Sequence, residues 1–454
     1  MFKKIRAFLG KYTHHVVAAL FGIAIILAAL FYGLSYIASL HAASIFNNLM
    51  ANQKILKGTI TVERLSANLH GKVTFTNLHW KDDEGNNDVL VPEGSLRVKP
   101  LDVIMKRVKA SSLEELNLEN ASIVLTFDEN AHIKGIDTRR EADKKPKKPG
   151  NKQPFDIKVK DINVKLHLEN CTMKAYYKSR IFLLNDVDAD IHYNSLDKMD
   201  IDFQTGEFGG VLIGDGVSLR GSIDLKPKYS VCNLNLSIKE LDPSSLGTGL
   251  NIKDKVTSIA HVSGPIAGPQ IEGKLEMGRL KLPGLFFTKL KGDYKYSDGI
   301  ITADNVKAKV YGGTCDASGL FNIDTKAYSV DVLGHDLQAS MAAHTPMLSC
   351  EVELDLKMRC NGDNKSTQTY GTFTSGEGMY ALVRFNKISG AFHNQYKTLQ
   401  FTDVEINTPL GEIMSPSFSI VNGKLQLDSV YLGNRNTGEK TKLNLKRPIS
   451  PGLH

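Results

Sequence analysis

Ten consecutive residues, Glu351 to Cys360, alternate without a break. Val352, Leu354, Leu356, Met358 and Cys360 take one parity, and Glu351, Glu353, Asp355, Lys357 and Arg359 take the other. A hydropathy period of two gives an extended strand one apolar and one charged face, whereas a helix would repeat about every 3.6 residues. Leu234, Leu236 and Ile238 show the same pattern, as do Ile162, Val164, Leu166 and Leu168. Asp83–Asn87, Ser297–Gly299, Asn361–Asn364 and Asn422–Gly423 supply turn chemistry between such runs. A short helix is expected over His41 to Lys54, and only three further stretches read as helical: near Leu101 to Val108, Ser244 to Gly249 and Leu337 to His344. The chain is therefore expected to be mostly β, with some 25 strands that would make an open sheet on the order of 100 Å long at about 4.8 Å per strand. So few helices cannot cover its apolar face. A second sheet, closure into a barrel, or something that is not protein must do so.

Val16 to Leu40 is a run of 25 residues without a formal charge. As a helix it reaches roughly 37 Å, enough to cross a hydrocarbon core of about 30 Å with some tilt. The apolar stretch of a cleaved signal peptide is shorter, about 7 to 15 residues, so an uncleaved anchor is expected even though Ala42, Ala43 and Ser44 resemble a cleavage site. Lys3, Lys4, Arg6 and Lys11 precede the span, and only Lys54 and Lys57 follow closely. The positive-inside rule then leaves the N-terminus cytoplasmic and exports the bulk of the chain.

The 454 residues carry 56 Lys and Arg against 49 Asp and Glu, a net +7. The first 40 residues hold +4 of this and residues 139–154, RREADKKPKKPGNKQP, hold +5, which leaves −2 for the rest. A nearly neutral body lacks the basic face of a nucleic-acid binder. The three prolines and high charge of 139–154 predict a flexible linker, with anionic headgroups as an alternative contact. Five cysteines, Cys171, Cys232, Cys315, Cys350 and Cys360, cannot all pair within one chain. Most read as small apolar strand residues, and a Cys350–Cys360 disulfide stays open.

An offset of 98 positions aligns residues 273–313 with 371–411 without a gap. Gly273, Gly278, Gly292 and Gly313 fall on Gly371, Gly376, Gly390 and Gly411. Leu275, Phe287, Leu290, Tyr294, Ile301, Val306 and Ala308 fall on Phe373, Phe385, Ile388, Phe392, Leu399, Val404 and Ile406. Glycines that fix bends while apolar positions keep their face are the mark of a repeated strand meander.

Catalytic and cofactor motifs are missing. Gly268 to Leu275 mimics a phosphate-binding loop, but Leu275 stands where the hydroxyl should be, and glycine-rich alternation follows instead of a helix. Gly214-Asp-Gly216 and Gly376-Glu-Gly378 are turns, no serine sits in a nucleophile elbow, and the thirteen histidines show no metal-ligand spacing. No enzyme, cofactor or metal site is expected.

The chain resembles the AsmA-like superfamily, and its TamB-like members in particular. An N-terminal anchor is followed by Leu65 to Val73 and Leu78, Asp83 to Gly85, Leu90 and Val91, and Leu96, Val98 and Leu101. The run LEELNLENASIVLTFDEN (Leu113 to Asn130) then precedes the charged linker. SGPIAGPQIEGKLEM (Ser263 to Met277) and LKGDYKYSDGIITADNVKAKVYGGTCDASGLFNI (Leu290 to Ile323) are similar to the family's repeated unit. The resemblance implies an anchor in the inner membrane of a bacterium with two membranes. It implies a long, twisted antiparallel sheet curled into an apolar groove, and a part in moving phospholipid towards the outer membrane and in envelope upkeep. TamB-like members partner an outer-membrane barrel; this chain is much shorter than they are and shows no equivalent of their extended C-terminal region, which leaves that partner open.

The expected organisation is a basic tail and anchor over 1–40, an N-terminal β region over 41–138, the linker 139–154 and a repeated groove region over 155–454. The expected acyl-chain positions are Leu275, Met277, Tyr294, Tyr296, Ile301, Val306, Val310, Val352, Leu354, Leu356, Met358, Phe392, Leu399, Phe401, Val404 and Ile406. The same alternation would also suit a dry core between two sheets. The competing function is a scaffold or assembly factor for outer-membrane β-barrel proteins that holds clients by strand edges.

Overall fold

The computed structural model describes residues 57–68, 71–104, 112–128, 133–134, 163–177, 180–194, 198–224, 231–246, 254–266, 268–282, 285–342, 345–422, 424–434 and 437–443, with Ala43, Ser44, Asn47 and Ala51 before them. Those four are helical, within the expected helix at 41–54. The expected anchor at 16–40 and linker at 139–154 lie outside the described residues. No helix among the described residues is long and apolar enough to cross a membrane.

The chain is mostly β and divides into two compact units: residues 1–247 with 257–271, and residues 248–256 with 272–454. In the first unit the strands are β1 (Thr59–Thr61), β2 (Arg64–Ala67), β3 (Lys72–Lys81), β4 (Asp88–Val98), β5 (Leu113–Glu119), β6 (Ser122–Phe127), β7 (Val164–Tyr177), β8 (Arg180–Asn194), β9 (Lys198–Thr205), β10 (Phe208–Gly210), β11 (Gly216–Asp224), β12 (Val231–Leu241) and β13 (Val256–Pro265). β1 and β2 both pair with β3, which continues to β4 and on to β5 and β6. Most ladders are antiparallel, but β5 and β6 pair with β7 in parallel. A parallel pair needs a long crossover, and the stretch between β6 and β7 provides the length. These strands lie on either side of residues 139–154, so the first unit runs across that segment.

Alternation becomes burial here. Val164, Leu166 and Leu168 of β7 join Val73, Trp80, Val98 and Leu116 in a core of 29 buried residues. The turn after β3 is held by the buried Asp82, whose Oδ2 accepts from the Asn87 N–H at 3.1 Å and from Asn87 Nδ2 at 2.8 Å. Burying a carboxylate and an amide together is tolerable because each satisfies the other.

In the second unit the strands are β14 (Gln270–Leu282), which begins at the unit boundary, β15 (Leu285–Ser297), β16 (Ile300–Val310), β17 (Gly313–Asn322), β18 (Tyr328–Gln338), β19 (Leu348–Ser349), β20 (Glu351–Cys360), β21 (Gln368–Ser375), β22 (Gly378–Tyr380), β23 (Val383–Phe385), β24 (Lys387–Gln395), β25 (Thr398–Thr408), β26 (Gly411–Val421), β27 (Lys424–Leu427), β28 (Val430–Gly433) and β29 (Lys440–Leu443). The main ladder runs antiparallel in the order β15, β16, β17, β18, β20, β21, β24, β25, β26. β19, β22 and β23 form a separate small sheet. The short helices α1 (Pro100–Ile104) and α2 (Ala339–Ala342) and a 3-10 turn at Pro243–Leu246 overlap the three expected helical stretches. The phosphate-loop mimic leads into β14, a strand.

The 98-residue repeat is structural. Tyr294 faces Ala303 and Phe392 faces Phe401, Ser297 faces Ile300 and Gln395 faces Thr398, and Lys291 faces Lys307 as Ser389 faces Glu405. Both hairpins carry a bulge at the same place, with Asn305 (φ 52°) and Asp403 (φ 51°) in the left-handed region. A Cβ on Gly292 would lie 2.8 Å from Val306, and one on Gly390 would lie 2.9 Å from Val404. The correspondence breaks at Phe287, which stays in the ladder opposite Val310 while Phe385 joins the small sheet. It holds again on the preceding strand, where Glu272 and Glu276 reach Lys295 and Lys291 as Tyr370 and Thr374 lie opposite His393 and Ser389.

All five thiols are free. Cys350 and Cys360 lie at opposite ends of β20, whose ten residues extend about 33 Å, far beyond disulfide reach. The pairing left open by the sequence is therefore excluded.

Candidate functional site

Residues set directly opposite one another in a ladder share a face of the sheet. From β20, Leu356 lies opposite Val332 of β18 on one side and Gly371 of β21 on the other. Following the ladder outwards, one row runs Val306, Ala317, Val332, Leu356, Gly371, Phe392, Phe401, Phe418 across eight strands. Neighbouring rows add Tyr296 opposite Ile301, Tyr294 opposite Ala303, Val330 opposite Met358, Leu354 opposite Phe373 and Ile388 opposite Ile406. Leu275 and Met277 belong to the same side. Glu272 and Glu276, of the other parity on β14, reach Lys295 at 3.1 Å and Lys291 at 2.8 Å on the charged side of β15.

The fold thus places all sixteen expected positions on one side of one unit's sheet. Phe373, Phe418, Val330, Val332 and Ile413 share it and are not among the expected acyl-chain positions, although the repeat sets Phe373 on Leu275 and Val330-Asp331-Val332 and Phe418-Ser419-Ile420 carry the alternation that marks them. Three phenylalanines meet there: Phe401 stacks on Phe418 with centroids 4.8 Å apart, and Phe373 approaches Phe401 edge-on at 6.1 Å. Gly371 lets β20 and β21 close up, since a Cβ would stand 2.0 Å from the Asp355 carbonyl oxygen.

This side is not a core. Of the sixteen residues only Met277, 8% exposed, and Val310, 5% exposed, are buried; the other fourteen are half-buried. The buried cluster of this unit contains four residues, Ala308, Val310, Cys315 and Leu337, against 29 in the first unit. Neighbouring strands cover the flanks of each side chain, and a second layer would be needed to bury the tops. That layer is missing over most of this face among the described residues.

The opposite side is charged and laced by exposed ion pairs. Arg359 Nη2 donates to Asp331 at 2.7 Å, and Lys307 lies 3.4 Å from Asp316. Glu353 accepts the Asp336 N–H at 3.0 Å and bonds His335 Nδ1 at 2.8 Å, which together hold its carboxyl below the usual range. A concavity of 490 Å³ on this side is lined by His335, Glu353, Asp355, Thr372, Lys387 and Ser389 among others. No group of three His, Cys, Asp or Glu among the described residues stands close enough to hold a metal ion.

No protein-family model, no curated protein and no solved structure matches this chain.

Proposed function

We propose that the apolar side of the second unit is the inner wall of a curled β-groove that holds phospholipid acyl chains, in an AsmA-like protein anchored by residues 16–40 in the inner membrane. The observation that carries this reading is the row from Val306 to Phe418, apolar or glycine throughout and half-buried at its large side chains. Each methylene withdrawn from water contributes about 0.8 kcal/mol, so such a wall favours acyl chains without a specific pocket. A long apolar face with one charged back suits passive sliding of lipid towards the outer membrane, driven by no nucleotide. The exported side of the anchor and the sequence resemblance support the same assignment. Partners are then phospholipid, the inner membrane and, at the far end, an outer-membrane component.

The test is photo-crosslinking in the full chain. A benzophenone amino acid at Phe401 or Leu356 should crosslink radiolabelled phospholipid, and one at Lys357 or Thr372, on the charged side, should not. Equal labelling on both sides, or none at 401 and 356, overturns the assignment.

A further inference from the structure

The two ends of the second unit's sheet differ. One end carries the connection from β18 to β20, the hairpin of β22 and β23, and the turn from β25 to β26, as the pairs Gln338–Glu351, Val352–Ser375, Lys387–Asn407 and Thr408–Gly411 require. Its exposed apolar side chains are Met341, Met347, Tyr380, Val383, Leu382 and Leu410, the last two 93% and 97% exposed, and the exposed charges Glu351, Glu377, Arg384, Lys387, Glu439 and Lys440 lie at the same end. The turns at the other end carry Asp298, Asp324, Lys326, Asp363, Lys365 and Lys397. Tyr396 is exposed there, but its ring lies under Lys397 Nζ at 5.5 Å.

The apolar tip has the chemistry that hydrocarbon demands. Gly378 to Val383 is uncharged, with Glu377 before it and Arg384 after it. Its backbone is paired within the small sheet: Tyr380 with Val383, Met379 with Arg384, and β19 along the outer edge of β22. The Ala381 N–H at the turn donates to the Met347 carbonyl at 2.9 Å. Water would solvate a loose turn at no cost, whereas in lipid every polar backbone group must find an internal partner. Tyr380 has the amphipathic ring of an interfacial belt, and Arg384 and Lys387 follow at the depth of anionic headgroups. Leu382 and Leu410 protrude from separate turns almost wholly uncovered, which suits entry into a fluid phase better than a fitted protein surface.

We propose that this end of the second unit enters the interfacial region of a phospholipid bilayer, with Leu382 and Leu410 among the acyl chains and Arg384 and Lys387 at headgroup level. The contact goes beyond the groove and does not require it. Lipid on the apolar face and a tip in the bilayer are separable properties of the same sheet.

The test is tryptophan quenching in the full chain reconstituted into vesicles of phosphatidylethanolamine and phosphatidylglycerol, with plain or brominated acyl chains. Leu382→Trp, Leu410→Trp and Tyr396→Trp are made one at a time, and the emission of the unsubstituted chain, from its single buried Trp80, is subtracted. All three sites are exposed, so the substitutions leave the fold in place. The 382 and 410 reporters should lose most of their emission to bromine and the 396 reporter none. Unquenched emission at 382 and 410, or equal quenching at all three, overturns the proposal. A blue shift at 382 that grows with protein concentration and ignores bromine assigns the end to a second copy of the chain and overturns it as well. Leu356→Glu separates the two readings: it should empty the apolar face while the quenching at 382 persists. Quenching at 382 without lipid crosslinks at 401 sinks the groove and keeps the tip.

Discussion

Replacing Leu356 by glutamate asks whether the apolar side of the second unit is open. Leu356 is half-buried in the middle of its row, between Val332 and Gly371. On an open face the new carboxylate reaches water, and the loss is part of the leucine transfer free energy, about 1–1.5 kcal/mol. Under a second protein layer the same carboxylate is stranded, and the cost exceeds about 4 kcal/mol. Leu116→Glu gives the internal standard, because Leu116 is 1% exposed in the core of the first unit. A chain of two units need not unfold in one step, so a single midpoint would mix transitions. Hydrogen exchange of β18, β20 and β21 amides reads the second unit, and Trp80, 3% exposed, reads the first by fluorescence. Leu356→Glu should speed exchange of β20 by roughly tenfold and leave Trp80 unchanged. Leu116→Glu should expose Trp80. Against acyl chains an acidic residue costs about 2.5–3.5 kcal/mol, so crosslinking at Phe401 in the same row should fall on the order of a hundredfold. Exchange in β20 as fast as in the unfolded chain would mean that the face is covered by protein; undiminished crosslinking would mean that acyl chains do not lie there.

Other consequences are local. Gly371→Ala drives a Cβ into the Asp355 carbonyl and should cost about 1–3 kcal/mol in urea unfolding followed by exchange of β20 and β21, whereas Gly278→Ala meets nothing within 4 Å and should stay within about 0.5 kcal/mol. Glu353 has its carboxyl lowered by the Asp336 N–H and then by His335. A carboxyl lowered on folding stabilises above its unfolded pKa, and that contribution disappears as pH falls through the lowered value. Its NMR titration midpoint should lie below that in the urea-unfolded chain. The accompanying acid-side loss of stability in β20 should be small, because the pair is exposed, and Glu353→Gln should remove it. Burial pushes the thiols of Cys171, Cys232 and Cys315 up, so mass spectrometry should find them unalkylated by iodoacetamide at neutral pH until the chain is unfolded.

Alternation alone determined that the chain is mostly β and which residues of β20 share a face, since a period of two is a property of the strand itself. The 98-residue repeat was legible for a related reason. Gly292 and Gly390, with Asn305 and Asp403 at their bulges, answer local backbone requirements that leave a mark in sequence. Only the tertiary structure decided what lies across from each strand. Phe373 and Phe418 joined the apolar row through register, and a slip of one residue would have turned either to the charged side. The parallel pairing of β5 and β6 with β7 depends on partners far apart in the chain, which no local pattern encodes. The decisive difference was likewise invisible in sequence. Leu166 of β7 and Leu356 of β20 sit in runs that alternate equally well, yet the first is buried and the second is not. Alternation says which way a side chain points, and only the presence or absence of a second layer above it decides whether it is a core residue or a wall open to a ligand.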